Sequence, residues 1–472
     1  MEHGTDRYGT VHAPIVVSIL DVESKTSPEY PEKLDEYYRV TRRGRRNPAG
    51  SNLLTDQSLF KTMYLVSNLT GSPVYADFAQ HYAGYVMSHL VDDKGFFWWG
   101  WHRHYDVYRD IRDGHNGDPH EIQSNNCIAW DRMWHVNQRA VQKEIEAIWQ
   151  WHVIDKNSGE INRHGDGKRG CDFSMSNGAY IEAFCFLYNK THDQKWLERA
   201  RLLADYFWNL RDRNTNLVPE RPNAGKDRFD GSSFTTSITG LYCHSLLKAF
   251  EMTGETRFRD YALAYLKAYS RYGYDETTGR YWGALRLGGT PIPGPRVYSE
   301  NVDSAEGYEA FQPRGHLTLW QPYVAGYEHA ISTAQVYPYA YQLTADAEML
   351  HTARRFAEWI RKTPPGTVEA EEAWFRKYAD GPGRTGTYAD HYGRTISFYL
   401  HLYILTGEEV FLRDAQTLAD EAVAKLYYKG LFRGHPAKPY YEAMDGVGFL
   451  LYALLELGQV LKNPAQAVGQ QA

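Results

Sequence analysis

The chain has 472 residues, 43% of them hydrophobic and 23% charged, enough for a large core in one closed barrel or in two to three domains. Its net charge of −6 argues against a nucleic-acid surface, and no apolar run approaches the ~20 residues of a membrane span. The 15% aromatic content, with 37 Tyr and 13 Trp, suits either core filling or flat platforms for sugar rings.

Residues 1–51 read as an irregular arm with one apolar burst, Ile15–Leu20, and are expected to pack on the domain that follows. The basic run Arg42-Arg43-Gly44-Arg45-Arg46 reads as a solvated loop. The opening Met1-Glu2-His3-Gly4 has no basic segment followed by an apolar one, which predicts a cytoplasmic setting. Cys127, Cys171, Cys185 and Cys243 are irregularly spaced and suggest neither a zinc module nor a disulfide framework.

From Asn52 a pattern recurs. Helix-like segments meet at short turns marked by Thr70, Thr191, Thr253, Thr344 and Thr406, at intervals of 121, 62, 91 and 62 residues. The 91-residue interval holds a Gly/Pro-rich insertion, Gly288–Pro322. After each turn comes an amphipathic helix. Leu197, Ala200, Leu203, Ala204 and Phe207 show the spacing that puts apolar side chains on one face. Loops with glycine follow, as at Asp93-Lys94-Gly95, Thr278-Gly279 and Lys429-Gly430. The helix before each turn is less polar, as in Thr239–Glu251 and Ser397–Leu405.

A helical hairpin repeated near every 60 residues either stacks as a solenoid or closes into a ring. Hairpins are predicted near 53–92, 126–155, 176–212, 237–272, 330–362 and 394–426, with a last helix at 443–461. The fold class expected is all-α, an (α/α)6 or (α/α)7 toroid with little β structure, spanning 52–462 as one catalytic domain before a tail at 463–472. In such a ring the loops at one end of the less polar helices line a central cleft, where function tends to sit.

The stretch Trp98–Asp172 concentrates chemistry between segments that otherwise read as plain helix. Buried charges need partners, so a packing element has little use for His102, Glu121, Arg163 and His164. Two imidazoles and a carboxylate, His102, His164 and Glu121, suit manganese, iron, zinc or nickel, and residue type alone does not choose among them. Their spacings of 19 and 43 match no local metal motif but do match three loops on successive hairpins. The alternative is that they are separate polar loop residues. Arg163, Lys168 and Arg169 suit a carboxylate, since Arg forks bind one in a bidentate way; a surface ion-pair network with Asp166 and Asp172 is the competing reading. Trp98, Trp99, Trp101 and Trp282 follow hairpin ends and either stack on sugar or plug the barrel mouth.

The succession Gly100-Trp101-His102, His120-Glu121, Trp130 to Val136, Ile145 to Trp149, His152 to Asp155 and Asn162-Arg163-His164-Gly165 resembles polysaccharide lyase family 2, the α/α-toroid pectate lyases. The similarity covers mainly residues 98–170. It implies β-elimination from polygalacturonate with a bound divalent metal, often manganese. It further implies His102, Glu121 and His164 as metal ligands and Arg163 as the base. The substrate expected is an acidic oligo- or polysaccharide, met by Trp98, Trp101, His120, Lys168, Arg169 and Arg228; neither nucleic acid nor membrane is expected as a partner, and the oligomeric state stays open. The second cleft arginine of the family has four candidates here, Arg228, Arg286, Arg296 and Arg314. Trp101 in front of His102 and the basic loop 165–170 depart from the family pattern and mark an outlying relative.

Two other classes compete. A glycoside hydrolase on the same toroid needs two carboxylates across one sugar bond, from among Glu121, Asp131, Asp172, Asp230 and Asp303; a sugar 2-epimerase would use His as acid and base. A non-catalytic helical binding module would leave buried His, Arg and Glu unexplained.

Overall fold

The computed structural model describes residues 1–29, 50–114, 119–222, 232–294, 314–320, 328–365, 386–436 and 438–464. Arg228, Arg296, Asp230, Asp303 and the Arg42–Arg46 run lie outside them. Among the described residues the helices are, in chain order, α1 Gln57–Thr70, α2 Val74–His89, α3 Trp130–Val136, α4 Gln138–Ala147, α5 Ser174–Thr191, α6 Gln194–Leu210, α7 Cys243–Thr253, α8 Thr256–Tyr272, α9 Ala330–Thr344, α10 Ala347–Lys362, α11 Ala389–Thr406, α12 Glu409–Leu426 and α13 Val447–Lys462. This is the all-α architecture of paired hairpins expected of an (α/α) toroid, and described strands run to four residues at most.

The five threonine-marked turns share one construction. Each Thr is the last residue of its helix, and its hydroxyl donates to the carbonyl four residues back at 2.6–2.8 Å. The same oxygen accepts the backbone N–H two residues ahead at 3.2–3.4 Å. One hydroxyl thus ties the last turn of one helix to the first backbone N–H of the segment leading into the next. The residue between takes the left-handed conformation, as Gly71, Gly254 and Gly407 and, without glycine's freedom, as His192 and Ala345. Asp193, Glu255 and Asp346 then cap the next helix by accepting the N–H of Lys195, Arg257 and Glu348.

Within each hairpin the two helices differ as their sequences require. α6 buries one stripe, including Trp196, Leu197, Ala200, Leu203, Ala204 and Phe207. In α5 nearly every side chain from Ser174 to Leu187 is buried. Each large apolar side chain so enclosed contributes ~1.5–3 kcal/mol against exposure. The pair at 126–155 departs from the others: Asn137 is extended between α3 and α4, its Oδ1 accepts the Ala140 N–H at 3.0 Å, and a π-helical turn at Ile148–His152 follows α4.

Three of the loops between helices share an Asp-led turn. The carboxylates of Asp155, Asp212 and Asp275 each accept N–H groups two or three residues ahead. The residue four ahead has positive φ, 84° at Gly159, 60° at Asn216 and 71° at Gly279, and returns its N–H to the carbonyl of that Asp at 2.8–2.9 Å. Short strands flank two of these turns, Val153–Asp155 with Glu160–Ile161 and Tyr274–Asp275 with Arg280–Tyr281.

The chain divides into two compact units. One comprises Met1–Glu121, Asn126–Glu144 and Phe375–Ala472. In it α13 packs on α11 and on α1, so the last helix lies against the first, and Ile19–Asp21 pairs antiparallel with Tyr440–Glu442. In the other, Ile122–Asn125 and Ile145–Trp374, α7 packs on α5, α8 and α9. Glycines let α13 approach its neighbours closely: a methyl on Gly448 would overlap the backbone of Ser58 and Leu59, and one on Gly393 that of Phe449 and Leu450. Gly448→Ala should therefore destabilise the chain by ~1–3 kcal/mol, although alanine favours a helix over glycine. Urea denaturation of the variant beside the natural chain measures this.

Candidate metal centre and active site

His102 and Glu121 sit in the unit that holds both ends of the chain. After α2, Val91 bridges Phe97, and the segment 98–102 leads into the strand Arg103–Asp106, which pairs with Ile111–Gly114 and with Gly50–Ser51. The Asn52 side-chain amide donates to the carbonyls of Gly100, 2.7 Å, and Arg103, 2.9 Å, and so holds the loop on both sides of His102. The Trp101 N–H donates to the Glu121 carbonyl at 3.3 Å. At Gly100, φ +132°, an added methyl would sit 3.0 Å from the Glu121 nitrogen, so only glycine admits this approach. His102 Nε2 lies 3.0 Å from Glu121 Oε2, with the two residues 4% and 1% exposed.

His164 and Arg163 belong to the other unit, on a loop organised by Asn162. The buried Asn162 amide donates to the Lys168 carbonyl at 2.7 Å and to Asp166, and its Oδ1 accepts the His164 N–H at 2.7 Å. The Arg163 N–H donates to the Cys171 carbonyl at 2.9 Å. Its guanidinium lies 3.9 Å from the centre of the Phe173 ring, and its Nε–H donates to His164 Nε2 at 3.1 Å.

His102, Glu121 and His164 form a group that could hold a metal ion. Two imidazoles and a carboxylate, two of the three residues buried, form a donor set that fits a divalent ion.

The other sequence candidates fall in varied surroundings. Trp98 donates its indole N–H to the carbonyls of His104 and Asp113, with Arg103 and Arg112 over its ring at 4.6 and 5.2 Å. Trp101 is half-buried, and its indole N–H has no acceptor among the described residues. Trp99 is wholly buried and donates to His120 and Glu144, a packing position rather than a sugar platform. His120 is buried too, stacked on Phe96 at 4.0 Å. Lys168 and Arg169 are exposed, pairing with Asp166 at 3.6 Å and Glu160 at 3.3 Å. Trp282 stacks on His316 at 3.9 Å. Of the hydrolase carboxylates, Asp131 is exposed and Asp172 is buried, accepting from the Tyr206 hydroxyl at 2.7 Å.

Sequence reasoning missed Asn52, Glu144 and Arg221. Arg221, none of the four arginine candidates, is buried with its guanidinium 4.9 Å from the Phe173 ring that Arg163 also contacts. No local signal marks these residues, because their partners are distant in the chain.

Burial shifts several groups here and elsewhere. It lifts the carboxyls of Asp56, Glu220 and Glu456 to about 7 and that of Glu144 to about 8. It lowers His391 and His401 to about 4. The raised carboxyls add stability in full below their unfolded values near ~4 and lose it as the pH rises through 7 to 8. The lowered histidines act oppositely, costing stability as the pH falls below ~6.5. Between roughly pH 6.5 and 8.5 the carboxyls dominate. The thermal midpoint should fall across that interval, followed by circular dichroism in buffers of matched ionic strength.

A family described as periplasmic pectate lyase matches residues 36–177. A pectate disaccharide-lyase of Dickeya dadantii (strain 3937) is 26% identical over 125 residues, 26% of this chain and 23% of the relative. The chain thus matches about a quarter of the length of that relative. Among solved structures, a D-mannose isomerase superposes with a TM-score of 0.51 at 10% identity, covering 80% of this chain and 95% of its own. A cellobiose 2-epimerase from Bacillus thermoamylovorans B4167 gives 0.45 at 11% identity, covering 68% and 78%. The isomerase likeness is one of fold, and it places the chain among the (α/α) toroids. The matched family's periplasmic description overturns the cytoplasmic setting expected from the sequence. That expectation rested on the residue types at Met1-Glu2-His3-Gly4 alone, and a few residue types do not separate compartments; the four free cysteines do not separate them either, since a chain of this size does not need disulfides to fold.

Proposed function

We propose that this chain is a carbohydrate-active enzyme, a polysaccharide lyase that cleaves a uronate-containing glycan by β-elimination, with His102, Glu121 and His164 holding a divalent ion. Manganese is the ion the family resemblance favours, ahead of zinc, iron or nickel. The observation that carries this reading is the group His102, Glu121 and His164, which could hold a metal ion, with Arg163 hydrogen-bonded to His164. The lyase match over residues 36–177 spans all four residues.

The chemistry follows from the substrate. The proton on C5 of a uronate lies next to a carboxylate and is weakly acidic. Bound to that carboxylate, a divalent ion supplies stabilisation of the negative charge that builds as the proton leaves. The C4–oxygen bond then breaks, a C4=C5 double bond forms, and the departing sugar oxygen takes up a proton. Arg163 lies on the loop of His164, within reach of the same carboxylate. It is the proposed base or charge stabiliser: free arginine stays protonated in water, and here its guanidinium is buried against Phe173.

The second reading is a hydrolase, epimerase or isomerase on the same fold. The fold accommodates it, since a D-mannose isomerase superposes over 80% of this chain; that likeness is one of fold only. Against the hydrolase stand the exposure of Asp131 and the engagement of Asp172 by Tyr206, which leave Glu121 without a facing carboxylate among the described candidates.

Digestion of polygalacturonate should produce the ultraviolet absorbance of a conjugated unsaturated uronate, which hydrolysis and epimerisation do not make. Reducing ends appearing without that absorbance would favour the hydrolase. Arg163→Lys keeps the charge but not the planar fork, and should lower turnover by ~10²–10⁴-fold with metal content unchanged. His102→Ala should lose most bound metal by elemental analysis. Full activity of the natural chain in excess chelator would remove the ion from the reaction.

A further inference from the structure

We infer that Glu144 is a positioning residue for the metal centre, clamping together the two segments that carry His102 and Glu121. The inference rests on the metal-binding reading above. Glu144 lies on α4 and is fully buried. Its Oε2 accepts the backbone N–H of Phe97 at 2.6 Å, and its Oε1 accepts the Trp99 indole N–H at 2.9 Å. The same Oε1 lies 2.9 Å from Nε2 of His120. Two of these contacts are to the segment that runs into His102, and the third is to the residue directly before Glu121.

Core filling does not explain a carboxyl in this place. An apolar side chain would pack among Phe96, Phe97, Trp99 and Trp130 without the cost of removing a carboxyl from water. What the carboxyl adds is direction. Three hydrogen bonds from one group set the spacing of two loops that otherwise meet through the Trp101 N–H to the Glu121 carbonyl and the close approach at Gly100. The aromatic packing stiffens the clamp: Phe96 lies flat on His120 at 4.0 Å, and Trp99 meets Trp130 edge-on at 6.0 Å. Groups that orient ligands from outside the coordination sphere typically change metal affinity by ~10–100-fold when removed.

Glu144→Gln tests this. Glutamine keeps the size and one acceptor but turns the other oxygen into a donor, so it cannot serve all three partners. Chelator-treated protein is titrated with Mn²⁺, and free Mn²⁺ is followed by electron paramagnetic resonance. Thermal midpoints are taken with and without the ion. The expected result is a ~10–100-fold weaker Mn²⁺ affinity and a smaller Mn²⁺-dependent rise in midpoint. A merely structural role would lower both midpoints equally and leave the affinity unchanged, which overturns the inference. Trp99→Phe removes one donor and keeps the packing. It should weaken Mn²⁺ binding by a smaller factor, and it decides the matter if Glu144→Gln does not fold. Natural protein that binds no Mn²⁺ would overturn the metal reading and this inference together. Binding lost in His102→Ala but intact in Glu144→Gln and Trp99→Phe would overturn this inference alone.

Discussion

The hairpins of this chain depend on how a helix end is satisfied. A threonine hydroxyl closes one helix by bonding back four residues and opens the next by accepting the N–H two residues ahead. Because one atom does both, the turn is short, and the two helices must return antiparallel and in contact. The polarity of each helix then decides which face is enclosed. The α6 stripe is buried on one side, whereas α5 is enclosed nearly all round. The repeat therefore needs no long-range instruction to form each hairpin.

A second constraint acts where the loops meet. Ionisable groups buried there need partners, and the partners come from segments far apart in the chain. Glu121 faces His102 at 3.0 Å, and Glu144 faces Phe97, Trp99 and His120. Breaking such a set by removing one member leaves the others buried without compensation, which is costlier than the set itself is stabilising. Charged residues in these loops are thus hard to explain by packing, and a ligand that completes their coordination gives them a physical reason.

The Asp-led turns show how the loops are built without a large sheet. Each carboxylate takes the N–H groups of its own turn, and a residue of positive φ reverses the chain. The turn at Asp155 leads, through the strand Glu160–Ile161, to the loop of Arg163 and His164. Local turn chemistry thus sets the start of the loop that carries these two candidate residues.

Most of the hairpin architecture was legible in the residues alone. The Thr-marked turns and the i, i+3, i+4 spacing act over four residues, so a single sequence carries them. The hairpins near 53–92, 176–212, 237–272, 330–362 and 394–426 match α1–α2, α5–α6, α7–α8, α9–α10 and α11–α12. The pair at 126–155 was less legible, because Asn137 breaks it without a threonine turn. At the site, residue type alone marked His102, Glu121, Arg163 and His164 as candidates. That His102 faces Glu121, that Trp99 and His120 are enclosed, and that Asn52 and Glu144 tie together segments distant in the chain was decided by tertiary structure. The reason is range: a hydrogen bond between residues 45 positions apart, such as Trp99 to Glu144, leaves no periodic trace in the sequence.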